Sequence, residues 1–77
     1  MTMINWTSIT GLELLAASNK AAKIQEKWHN GTATDKQADT AIETVEALAK
    51  KQGLQTLWPG LYPVFQNTEG RQFHLPD

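Results

Sequence analysis

Apolar residues recur along this chain at helical spacing in two stretches and at strand spacing in a third. Leu14, Ala17, Ala21, Ile24 and Trp28 are separated by 3, 4, 3 and 4 positions, which turns one stripe of a 3.6-residue helix inward. Leu15 and Ala22 widen the stripe, and Asn19, Lys20, Lys23, Glu26 and Lys27 fall on the watery side. Thr10-Gly11-Leu12-Glu13 reads as a capping box: the Thr10 hydroxyl accepts from the Glu13 N–H while the Glu13 carboxylate reaches back. Asn30-Gly31 supplies the stop, with Gly31 free to take the left-handed conformation. A first helix from about Gly11 to His29 follows. Before it, Ile4, Trp6 and Ile9 dot a short segment that either lies extended on the core or starts the helix early.

The second helical stretch is cleaner. Ala38, Ala41, Ile42, Val45, Leu48 and Ala49 fall at i, i+3, i+4, i+7, i+10 and i+11, one continuous face. Thr34-Asp35-Lys36-Gln37 is a capping box with Gln37 in the reciprocal role. Asp35 and Asp39 lie near the positive end of the helix dipole, and Lys50 and Lys51 near the negative end. Gly53 predicts the terminus, with Leu54 making the apolar contact of a Schellman turn. The short link between the helices predicts antiparallel neighbours. Their facing stripes are rich in alanine, so a bulkier layer must cover them.

That layer is in the last third. Trp58-Pro59-Gly60-Leu61 fits a type II turn, which needs φ > 0 at Gly60. Asn67-Thr68-Glu69-Gly70 fits a type I turn closed by a glycine bulge, which sets Phe65 opposite Phe73 in a hairpin. In that register one face reads Leu61, Pro63, Phe65, Phe73 and Leu75 and docks on the helices. The other reads Tyr62, Val64, Gln66, Gln72 and His74. A two-residue turn would swap the faces of one strand; the bulged loop segregates apolar from polar. The fold class is therefore α+β, an antiparallel helical hairpin packed on a C-terminal β-hairpin in the order α-α-β-β. A single domain spans 1–77, with an N-terminal segment at 1–9, helices at 10–30 and 34–52, and the turn-rich hairpin at 54–77.

Composition narrows the function more than it names one. At 77 residues without cysteine, the chain has neither disulfides nor thiolate metal sites to staple it. Such a small domain buries only about 60–65% of its unfolded surface, so self-association to a homodimer or larger homo-oligomer is expected. A net charge of −1 with one arginine among seven basic residues lacks the basic surplus of a nucleic-acid binder. No apolar run reaches the ~18–20 residues of a membrane span, and no signal peptide is read at the start; the expectation is a cytoplasmic protein.

Catalytic patterns are lacking. His29 and His74 sit in different elements without a ligand cluster around them, and no phosphate loop, nucleophile elbow or zinc-binding helix pair occurs. Asp35, Asp39 and Glu43 form an acidic ridge explained by solvated helix surface. Asn5-Trp6-Thr7 and Asn30-Gly31-Thr32 match the glycosylation pattern, which carries no meaning without a secretory signal. No enzyme activity, cofactor or metal is expected.

The aromatics speak for an interface. Rings on short irregular segments serve as contact anchors, which singles out Trp58, Tyr62, Gln66, Gln72 and His74 on or beside the outer hairpin face, Arg71 at its tip and Trp6 if the N-terminus packs there. The reading is a non-enzymatic, self-associating protein-binding module. Its size and economy are of the kind seen in phage or mobile-element accessory proteins, inhibitors and small bacterial adaptors. The alternative is a nucleic-acid-associated protein using the row Lys20, Lys23 and Lys27, whose 3- and 4-residue spacing would face phosphates.

Overall fold

The computed structural model describes residues 6–76; the expectations for Ile4 and Asn5 lie outside them. Two helices, α1 (Ile9–His29) and α2 (Asp35–Lys51), precede three short strands, β1 (Gln55–Leu57), β2 (Val64–Gln66) and β3 (Gln72–Phe73). The strands form an antiparallel sheet in the order β1-β2-β3. The α-α-β-β order is present, and β1 adds a strand to the hairpin.

Helix α1 begins two residues before the expected Gly11. Its cap is Ser8, whose hydroxyl accepts from the Gly11 N–H at 3.1 Å, so Thr10 and Glu13 lie inside the helix rather than forming a capping box. A serine with extended backbone is as good a cap as a threonine, and the earlier start adds helical hydrogen bonds such as Leu12 N–H to Ser8 C=O at 2.8 Å. The capping box on α2 is present in full: Thr34 Oγ1 accepts from Gln37 N at 3.1 Å, and Gln37 Oε1 accepts from Thr34 N at 2.9 Å. Both helices end in Schellman motifs. Thr32 N–H reaches Lys27 C=O past Gly31 at φ +79°, and Leu54 N–H reaches Ala49 C=O past Gly53 at φ +72°.

The face that α1 buries is rotated from the expected stripe. Gly11, Leu14, Ser18, Ala21 and Ala22 are buried, Ile24 is half-buried, and Trp28 is 42% exposed. Ser18 tolerates burial because its hydroxyl donates to the Leu14 carbonyl at 2.7 Å, leaving no orphaned polar group. Trp28, expected in the core, instead braces the inter-helix turn: its indole N–H donates to Asp35 Oδ1, and its ring meets the His29 ring edge-on.

The core is Leu14, Ala21, Val45, Ala49, Leu54 and Phe65. Phe65 fills the space that the alanine-rich helix pair leaves, and the Trp6 ring lies on it with centroids 6.3 Å apart. All five residues of the expected inner face, Leu61, Pro63, Phe65, Phe73 and Leu75, are buried or half-buried. Phe65 pairs with Phe73 and Gln66 with Gln72, the register that the bulged loop dictates. Gly70 closes that loop at φ +85°, donating to the Asn67 carbonyl at 3.1 Å. The expected type II turn at 58–61 does not form. Positive φ among the described residues is confined to Gly31, Gly53 and Gly70, so Gly60 takes part in an open bend that carries the chain from β1 to β2.

Asn67 holds the hairpin loop from inside. Its Oδ1 accepts from the Glu69 and Arg71 N–H groups at 3.0 and 2.9 Å, and the side chain is buried. Asn67→Ala leaves both donors to find other partners and should cost about 1–2 kcal/mol, read as a lower urea midpoint. An unchanged midpoint would mean that the loop does not depend on this clamp. Asn67→Asp keeps the acceptor and should recover most of the loss.

Candidate functional site

The outer face of the sheet is set by register. Gln55, Gln66 and Gln72 pair across the three strands, and Leu57 pairs with Val64, so these side chains share the face turned from Phe65. Beside this face the bend at 59–62 brings Pro59 and Tyr62 around. Two adjoining hollows result. One, of about 420 Å³, is lined by Leu57, Trp58, Pro59, Val64, Gln72 and His74. The other, of about 670 Å³, runs from Tyr62 and Val64 past His74 to Leu75 and Pro76, with Asn19 of α1 at its side. Pro59, Val64 and His74 belong to both.

Four of the seven residues singled out from the sequence therefore meet here: Trp58, Tyr62, Gln72 and His74. Tyr62 is 55% exposed, and Gln72 and His74 are also exposed. Trp58 is half-buried against the core, and its indole N–H is enclosed without a hydrogen-bond partner. Burial of such a donor is costly unless something accepts from it. Gln66 shares the face but is half-buried beside the hairpin loop.

The other two lie elsewhere. Trp6 packs on Phe65, on the inner side. Arg71 places its guanidinium 5.4 Å from the Phe73 ring centroid, a cation–π contact on the side opposite Gln72. Trp6 is half-buried in this contact, whereas Arg71 stays exposed. Leu57, Pro59 and Val64 were not among the expected contacts. Val64 is the one that alternation could have flagged, since it sits between Tyr62 and Gln66 on the outer set.

Lys20, Lys23 and Lys27 are exposed along α1, and none of them lines the hollows beside the sheet. Lys20 instead borders a cleft between the helices, across from Lys36. Among the described residues no group of three or more His, Cys, Asp and Glu comes together to hold a metal ion, and no helix is long and apolar enough to cross a membrane. No family model matches the chain, and no curated protein or solved structure matches it either.

Proposed function

We propose that this chain is a small protein-binding module that acts by occupying a partner's surface with the outer face of its sheet. The observation that carries this reading is the convergence of Trp58, Tyr62, Gln72 and His74 on two hollows floored by Val64. A concave apolar floor with a few polar groups at its rim is the usual form of a recognition site, and exposed aromatic anchors supply most contact energy in protein interfaces. The same layout suits an inhibitor or accessory protein, whose task is to cover rather than to transform.

The test is capture with tagged protein. Tyr62→Ala combined with His74→Ala should remove the partners that the wild type retains. Both side chains are exposed, so circular dichroism and melting should stay near wild type. Lys23→Glu combined with Lys27→Glu should leave capture intact. The proposal fails if the Tyr62/His74 variant retains the same partners, or if a salt-sensitive affinity for DNA or RNA is lost only in the lysine variant.

A further inference from the structure

Two clefts flank the seam between α1 and α2, and no residue of the sheet lines either of them. Ala41 lines one and Ile42 the other; successive helical residues point about 100° apart, so the clefts open on different flanks. The charged residues of the first are Lys20 and Lys36, and its apolar wall includes Ile24. The charged residues of the second are Asp35 and Asp39, set beside Ile42 and the 42%-exposed Trp28. The second cleft also holds an orphan: Gln25 Nε2 is enclosed with no hydrogen-bond partner.

We propose that the basic flank of one copy docks in the acidic cleft of a second copy, so that the chain associates head to tail through its helical hairpin. The occupant is identified by charge complementarity carried within one sequence. Lys20 and Ile24 stand on the edge of α1, and Asp39 and Ile42 on the facing wall of the acidic cleft, so docking sets cation against carboxylate and aliphatic against aliphatic. Two-fold docking of either cleft on its own copy would instead bring like charges together, which an interface disfavours. A heterologous interface of this kind does not stop at a dimer; it closes into a ring or continues as a chain. The surface is separate from the outer sheet face, so the two proposals can fail independently.

Sedimentation of the whole chain from micromolar to millimolar concentration decides the matter. The expected average mass rises past that of a dimer and falls with added salt. Lys20→Glu with Lys36→Glu makes both flanks acidic and should weaken association about tenfold or more. Both lysines are exposed, so this variant should fold. Asp39→Lys leaves the acidic cleft with no net charge, Asp35 set against the new lysine, and should also weaken association. Mixing the two variants should restore pairing, because the intact acidic cleft of the first then meets the intact basic flank of the second. A wild type that stays monomeric or stops at a dimer, association indifferent to salt, or a Lys20/Lys36 variant that associates like wild type would overturn the proposal. So would a monomer whose lysines instead confer salt-sensitive binding to duplex DNA.

Discussion

Val45→Asp should abolish cooperative unfolding of this chain at room temperature. Val45 is fully buried at the centre of the core, among Leu14, Ala21, Ala49, Leu54 and Phe65. An ionised carboxylate there has no cation or donor within the apolar cluster. Its effective desolvation penalty is several kcal/mol, and a core of this size supplies about 3–5 kcal/mol of net stability. The penalty therefore matches or exceeds the whole margin. Ile24→Asp is the control. Ile24 belongs to the apolar period of α1, but it is half-buried on the wall of an open cleft. Its aspartate can turn to water, so Ile24→Asp should melt cooperatively at a reduced temperature. If Val45→Asp also melts cooperatively near wild type, the helix-pair core is wrongly placed.

Phe65→Ala should be the most damaging truncation in the sheet. Its ring is wholly enclosed and belongs to the same core cluster as Leu14 and Ala21 of α1 and Val45 and Ala49 of α2. Removing a buried phenylalanine side chain costs about 3–5 kcal/mol, through lost transfer energy and the cavity left behind. The alanines opposite, Ala21 and Ala49, cannot extend to fill it. Trp6 also loses the ring it rests on, so tryptophan emission should shift to the red even before the transition. Phe65→Leu fills most of the space and should keep a clear transition. A thermal midpoint for Phe65→Ala within a few degrees of wild type would show that the sheet does not close the helical core.

Local chemistry explains what could be read from the chain. The Thr34/Gln37 cap, the glycine stops at Gly31 and Gly53, and the bulged loop at Gly70 each depend on residues a few positions apart. They form as the sequence predicts. The loop fixes register, and register fixes which of Tyr62, Gln72 and His74 point away from the helices. The orientation of α1 was not legible, because it depends on what covers the helix. Apolar spacing favours the side with Ile24 and Trp28, whereas the structure buries Gly11, Ser18 and Ala22. Small residues permit close approach there, and Ser18 satisfies its own hydroxyl. Strand β1 was hidden for another reason. Gln55-Thr56-Leu57 is too short to show alternation, and it becomes a strand because β2 offers it a partner. Without β1 the smaller hollow beside Val64 loses Leu57 from its wall, so the sequence offers residues for the site but not its concavity.

The elements pack chiefly on their neighbours in the chain: α1 on α2, α2 on β1, β1 on β2 and β2 on β3. Each step closes a short loop, and the entropy lost in closing it grows only slowly with length. Low contact order of this kind goes with fast folding. The helical hairpin can close while the sheet residues are still being synthesised, and each strand then finds its partner already in place. Until Phe65 arrives, however, the two alanine-rich helices have little to hold them at a fixed separation. The final third of the chain thus turns a loose pair of helices into a single packed structure.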